Sequence, residues 1–163
     1  DVCDVAAGIA LKEKIGHKET ELIKIAALFH DAGFIKRYEE NEIAGTKLAR
    51  QFLPKWGYSR EEIKIVTGMI IATHTPQKPR NKLEEILADA DLDYLGRADF
   101  LPVANTLFEE LRANGKAINL MDWNKMQIAF LKQHKYFTKT SQDLRNRGKQ
   151  KQLEKLMAET GQE

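Results

Sequence analysis

The chain has 163 residues, of which 26 are Lys or Arg and 24 are Asp or Glu, so its formal net charge at pH 7 is only +2. This length suits one domain with a buried core, and the mixed charge argues against the basic surface of a dedicated nucleic-acid binder. The single cysteine, Cys3, excludes an intramolecular disulfide and fits a cytoplasmic protein, and no apolar run approaches the roughly 18 residues of a membrane span.

Helical spacing dominates the sequence, because Ile, Leu and Val recur three and four positions apart. The predicted helices cover about residues 1–15, 19–30, 41–53, 59–73, 82–94, 100–113, 122–134 and 141–159. Ser59-Arg60-Glu61-Glu62 is a capping-box sequence at the start of the fourth helix, and we expect a loop over residues 34–40, after Gly33. The sequence therefore predicts an all-α, single-domain bundle of about eight helices. Since Asp1 lies within the first apolar helical pattern, we also expect that a short segment is missing before it.

The second predicted helix ends in the pair His30-Asp31, after the apolar run ELIKIAALF. Polar groups at the end of a buried helix are costly to desolvate unless they have partners. An imidazole and a carboxylate are also common ligands of divalent metal ions, and Gly33 lets the chain turn away from them. The alternative is a hydrogen-bonded core histidine beside an aspartate in a turn.

The fifth predicted helix ends in three acidic residues, Asp89, Asp91 and Asp93. Asp91 continues the apolar stripe of Leu83 and Leu87 at a spacing of four, so it lies nearest the core and needs a partner. We expect Asp89 and Asp93 to be solvated or hydrogen-bonded to neighbouring groups. The two helix ends could converge on one metal ion, although an ordinary acidic helix face is the simpler alternative.

Three segments together resemble the HD superfamily of metal-dependent phosphohydrolases. They are ALFHDAGF, Asn41-Glu42-Ile43-Ala44-Gly45 and ILADADLDYLGR, and the similarity covers roughly residues 1 to 100. It implies an HD-type helical domain over residues 1–163 in which His30, Asp31 and Asp91 hold a divalent metal ion (Mn, Mg, Fe, Co or Zn). It also implies a phosphomonoesterase or phosphodiesterase that uses metal-activated water on a small phosphorylated substrate such as a nucleotide.

The predicted catalytic groups are Asp31 of the His30-Asp31 pair and two residues that follow it, Lys36 and Glu42. Asp31 would help to take the proton from the attacking water, and Glu42 would orient that water. Lys36 would neutralise charge on the phosphoryl oxygens. The simpler interpretations are that Lys36 lies in a solvated loop and that Glu42 is an acid in the first turn of a helix.

Three further residues are predicted to bind the substrate. Arg37 can bind phosphate oxygens with two hydrogen bonds, and Gln77 could line the same pocket. His74 could contact phosphate or a second metal ion, although a histidine at a helix end is favoured there by the helix dipole alone.

The sequence departs from the family pattern at two places. The first metal-binding histidine is expected about 25 to 30 residues before His30, where this chain has none, and His17 is too close. Asn41 stands where many relatives carry histidine, which argues against a second metal ion there. A catalytically silent module that binds nucleotide or regulates a partner is therefore the alternative function, and a helical scaffold without a ligand is the third. Either enzyme or module is compatible with a homo-oligomer.

Overall fold

A computed structural model describes residues 1–36, 40–115 and 119–161, and all regular structure in these ranges is helical. The α-helices are α1 Val2–Lys12, α2 His17–Phe29, α3 Asn41–Phe52, α4 Arg60–Ala72, α5 Lys82–Asp91, α6 Phe100–Ala113, α7 Leu120–Gln133 and α8 Lys139–Thr160. Short 3-10 helices cover Ala32–Ile35, Leu53–Trp56 and Asp93–Gly96. The prediction of an all-α fold with eight helices is confirmed. None of the described helices is long and apolar enough to cross a membrane.

The start of α4 follows the capping-box sequence. The Glu62 backbone N–H donates to Ser59 Oγ at 3.2 Å, and the Ser59 backbone N–H donates to Glu62 Oε2 at 2.8 Å. Other boundaries differ from the prediction. Helix α1 ends at Lys12 rather than near residue 15. The 3-10 helix Ala32–Ile35 extends into the loop expected over residues 34–40, and α5 ends at Asp91, where Leu92 leaves the helical conformation with a ψ of 17°.

The chain separates into two compact units. The first contains residues 1–92 and 137–140, and the second contains residues 93–136 and 141–163. In the first unit, apolar faces of α1, α2, α4 and α5 form the core, which includes the fully buried side chains Ile23, Val66, Met69, Ile70, Ile86 and Leu87. That all 163 residues form one domain stays a prediction.

A buried carboxylate attaches the segment 137–140 to the first unit. Asp89 is fully buried, and its side chain accepts hydrogen bonds from the Phe137 N–H at 2.8 Å, the Thr138 N–H at 2.8 Å and Thr138 Oγ1 at 2.7 Å. The Thr140 N–H donates to Glu13 Oε1 at 2.9 Å. Of the two states expected for Asp89, solvated or hydrogen-bonded, the structure shows the hydrogen-bonded one. These bonds hold α5 in place two residues before Asp91.

The second unit is organised around another buried acid. The Asp93 side chain accepts a hydrogen bond from Arg145 Nε at 2.7 Å, and Tyr136 Oη donates to the Asp93 carbonyl at 3.4 Å. Arg145 lies on α8, and Ser141 and Leu156 of the same helix are buried. The long charged helix therefore packs within this unit, which its sequence left undecided.

Candidate metal centre

His30 directly follows α2 and is held by that helix. Its side chain is buried, with 7% of the residue exposed, and Nδ1 donates to the Ala27 carbonyl oxygen at 2.7 Å. Because a carbonyl can only accept, this hydrogen bond places a proton on Nδ1 and leaves Nε2 for other partners. Metal-binding histidines are usually oriented by this kind of bond from the second ring nitrogen.

The free ring nitrogen faces two carboxylates from different parts of the chain. His30 Nε2 lies 3.1 Å from Asp31 Oδ2 and 3.4 Å from Asp91 Oδ1. Asp91 is the last residue of α5, so the ends of α2 and α5 meet at this point. The structure thus brings together the three residues that the sequence proposes as metal ligands.

The charges of these groups depend on one another. Burial favours neutral His30, but the hydrogen bonds and charges of Asp31 and Asp91 outweigh it and raise the pKa of the imidazole to about 10. Burial also raises the pKa of Asp91, and His30 opposes that shift. Two ionised carboxylates this close are stabilised by a positive charge beside them. A proton on His30 supplies it in the metal-free protein, and a divalent cation would supply it in a metal-bound one.

The three side chains partly fit a metal ion. One imidazole and two carboxylates suit several first-row divalent ions. Ligand atoms about 2.1 Å from a common ion and at right angles to each other lie about 3.0 Å apart, which is close to both distances from His30 Nε2. In the described ranges, however, no group of three or more His, Cys, Asp or Glu side chains meets the arrangement of a metal-binding cluster. The set is therefore a partial one.

Two glycines allow α3 to approach this centre closely. A Cβ atom at Gly33 would lie 1.7 Å from the Asn41 carbonyl oxygen, and one at Gly45 would lie 2.7 Å from the Phe29 carbonyl oxygen. Such distances are too short for any side chain, so only glycine permits this backbone packing. The first turn of α3, with Asn41 and Glu42, is thereby held against the chain that follows α2.

Asn41 and Glu42 extend the cluster. Asn41 Nδ2 lies 3.4 Å from Asp31 Oδ1, and in the opposite amide orientation the nitrogen donates to Glu42 Oε2 at 2.9 Å. In either orientation the buried amide donates to a carboxylate of the site. Glu42 Oε1 also lies 3.4 Å from His74 Nδ1, and the side chains of Glu42 and His74 are 15% and 63% exposed. His74 therefore lies at the solvent-exposed edge of the cluster.

The remaining predicted residues take different positions. Gln77 Nε2 donates to Asp91 Oδ2 at 3.3 Å, so this side chain touches the candidate metal centre itself. Lys36 is exposed directly after the first 3-10 helix, where its backbone N–H donates to the Gly33 carbonyl oxygen at 2.9 Å. Arg37 lies outside the described residues.

Sequence reasoning missed two supporting contacts. The Ala27 carbonyl, which orients His30, belongs to the backbone, and no residue type signals it. The amide of Asn41 was considered only as a departure from the family pattern, although its donors satisfy carboxylates of the site. The available signal was its position next to Glu42, at the start of a predicted helix.

Comparisons with known proteins identify the family of this chain. A model of the family described as HD domain matches residues 1–94, which contain every residue discussed for the site. An uncharacterized protein of Clostridium beijerinckii is 32% identical over 84 residues, which are 50% of this chain and 52% of that protein. The matched region thus spans about half of this curated relative. No solved structure matches the chain.

The HD domain points to a superfamily of metal-dependent phosphohydrolases, in which some members are inactive. The resemblance noted in the sequence is confirmed by the family match. Because that match covers more than half of the residues, this chain belongs to the HD domain family.

Proposed function

We propose that this protein is a metal-dependent phosphohydrolase that acts on a small phosphorylated substrate, such as a nucleotide. One observation carries the proposal, namely that His30 Nε2 lies within 3.4 Å of carboxylate oxygens from both Asp31 and Asp91. Membership of the HD domain family supports the same reaction class.

His30, Asp31 and Asp91 would hold the divalent cation. When bound, such a cation lowers the pKa of a coordinated water and neutralises charge on the phosphoryl oxygens. The hydrogen bond from His30 Nδ1 to Ala27 keeps Nε2 directed at both carboxylates. Mn, Mg, Fe, Co and Zn all suit such mixed ligands.

Glu42 would orient the attacking water. Its side chain is mostly buried, it lies beside the Asn41 amide, and His74 approaches one of its oxygens. Asp31 has an exposed side chain, at 59%, so it can pass the water's proton to solvent.

The substrate contacts are proposed on the exposed side of the cluster. Lys36 and Arg37 would meet phosphate oxygens, since both are cations that follow the metal pair in sequence. His74, which is mostly exposed beside Glu42, and Gln77, which touches Asp91, would line the same substrate position.

A second candidate function is a catalytically silent module that binds a nucleotide or regulates a partner. The observation that favours it is the partial ligand set, because the described residues hold no complete metal cluster. His17 cannot complete the set, since it lies at the opposite end of α2, about 20 Å from His30 by helical rise.

The position of the start of α1 affects how the silent module is distinguished from the enzyme. Cys3 Sγ lies 4.0 Å from the Lys24 carbonyl oxygen, so the start of α1 packs beside the later half of α2. The test is therefore made on residues 1–163 and on a form extended at its amino end.

The experiment measures hydrolysis of phosphomonoesters and phosphodiesters, including nucleotides, with added Mn²⁺. The variant is Asp91→Asn, and the matched control on the same helix is Glu85→Gln, whose side chain pairs with Lys82 away from the site. Metal-dependent turnover that is lost only in Asp91→Asn supports the enzyme. Nucleotide binding without turnover by either form of the protein would support the silent module instead.

A further inference from the structure

The segment that joins α4 to α5 is fixed to α5 near its beginning and near its end. At the beginning of α5, the Arg80 backbone N–H donates to Glu84 Oε2 at 2.7 Å, and Asn81 Nδ2 donates to Glu84 Oε1 at 2.9 Å. Glu84 is itself buried. The second attachment is the side chain of Gln77, which reaches the end of α5 where Asp91 lies.

The Gln77 amide nitrogen serves two acceptors at that helix end. It donates to the Ala88 carbonyl oxygen at 3.1 Å and to Asp91 Oδ2 at 3.3 Å. Ala88 is among the last four residues of α5, whose carbonyls lack the full set of partners within the helix. One side chain therefore binds both the helix terminus and the carboxylate that the helix presents.

The orientation of this amide is determined by its partners. Both neighbours of Nε2 are acceptors, so the reversed amide would place an oxygen against two oxygens. In the described structure the Gln77 oxygen, Oε1, is buried and has no hydrogen-bond partner. Leaving such an atom unpaired is unfavourable, yet the amide keeps this orientation. The contacts of the nitrogen are thus what hold the side chain in place.

These contacts divide the two oxygens of Asp91 between different partners. Oδ1 lies 3.4 Å from His30 Nε2, and Oδ2 accepts the hydrogen bond from Gln77. Rotation of the carboxylate would break one of these interactions. Without Gln77 the carboxylate would lose the donor that fixes the orientation of its plane relative to His30.

We infer that Gln77 is a positioning residue, which orients the Asp91 carboxylate for metal binding through Nε2. The inference rests on the proposed function, since it assigns Asp91 to the metal ion. Hydrogen-bond partners of metal ligands typically contribute 10- to 100-fold to metal affinity. This role predicts an effect on metal binding, whereas a residue that contacts only substrate would leave metal affinity unchanged.

The test compares Gln77→Met with the unaltered protein. Methionine has a similar length but no donor, and Lys78→Met is the matched control because Lys78 is the exposed next residue. The Mn²⁺ dissociation constant is measured by calorimetry on the extended form, and circular dichroism of the metal-free proteins checks the fold. Hydrolysis is then followed at saturating Mn²⁺ to separate kcat from KM.

For Gln77→Met we expect a Mn²⁺ dissociation constant that is about 10- to 100-fold higher, with the substrate KM little changed at saturating metal. Lys78→Met should bind Mn²⁺ as the unaltered protein does. If Gln77→Met does not fold, Gln77→Ala is measured in the same way. An unchanged dissociation constant together with a raised KM would overturn the positioning role and leave the proposed function intact. Failure of the unaltered protein to bind Mn²⁺ would overturn both.

Discussion

His30 and Asp91 lie at the ends of two different helices, and the structure brings His30 Nε2 within 3.4 Å of Asp91 Oδ1. Neither side chain alone indicates a function. Their meeting beside Asp31 creates a site with excess negative charge, which a proton on His30 or a divalent cation can balance. The arrangement of α2 and α5 therefore places a second carboxylate beside the His-Asp pair and creates a site that can bind a cation.

The role of Glu42 can be separated from that of the metal ligands. Glu42→Gln keeps the shape of the side chain but removes the charge that would hold the water and meet His74. We expect kcat to fall by about 10²- to 10⁴-fold, with the metal content of the protein unchanged. Steady-state kinetics and elemental analysis on the same samples test this. A loss of bound metal in Glu42→Gln would instead make Glu42 a ligand.

The close approach at Gly33 should be essential for stability. Gly33→Ala places a Cβ against the Asn41 carbonyl oxygen, a backbone atom that cannot move by itself. We expect a loss of about 3 kcal/mol or more in the free energy of unfolding. Urea denaturation followed by circular dichroism measures it.

Gly8→Ala is the matched control for that substitution. Gly8 is exposed within α1, and a Cβ there would meet nothing within 4 Å. Because alanine favours a helix over glycine, this variant should be more stable by about 0.5 to 1 kcal/mol. Equal losses at both positions would contradict the packing described for Gly33.

Asp89 should hold residues 137–140 on the first unit. Asp89→Ala leaves three donors without their acceptor, and we expect it to cost roughly 3 kcal/mol or more. Glu61→Ala, at an exposed acid in the first turn of α4, should change stability by only about 0.5 kcal/mol.

Amide hydrogen exchange provides the local measurement for Asp89. The N–H groups of Phe137 and Thr138 both donate to this carboxylate, so they should exchange slowly in the unaltered protein and much faster in Asp89→Ala. Fast exchange of both amides before any substitution would refute the attachment.

His134 should make stability depend on pH below neutrality. Burial, followed by the charge of Lys149, lowers the pKa of His134 from its usual 6.5 to about 4. The unfolded chain therefore binds a proton at a pH where the folded chain does not. The contribution of the neutral His134 imidazole to the free energy of unfolding is full above about pH 6.5 and is lost as the pH falls toward about 4.

Urea unfolding at pH 7.5 and pH 5 tests this sign. His134→Gln should lose less stability between the two values than the unaltered protein, and His17→Gln, at an exposed position, should behave like the unaltered protein. The same pH dependence in all three would show that His134 does not titrate as described.

The local features of the fold could be predicted from the sequence. The capping box at Ser59 and the apolar spacing gave the start of α4, because both depend on residues within one or two turns. The proposed ligands were also visible locally, as polar residues at the ends of apolar helices. Whether they bind metal stays a prediction.

The long-range contacts could not be predicted in the same way. Asp89 and Asp93 are more buried than Asp91, although the spacing of apolar residues favoured Asp91 as the inward acid. Their burial depends on Thr138 and Arg145, which are distant in sequence and supply the donors. Gln77 likewise reaches Asp91 only because the segment before α5 folds back along that helix.

The most direct test of the central claim is the metal content of the purified protein by elemental analysis. It is measured on residues 1–163 and on a form extended by about 30 residues before Asp1, enough for a further helix. We predict about one equivalent of a divalent metal in the extended form and its loss in Asp91→Asn, with the helical fold retained. No metal in either form, or an unchanged content in Asp91→Asn, would contradict the account and leave His30 and Asp31 as a structural pair.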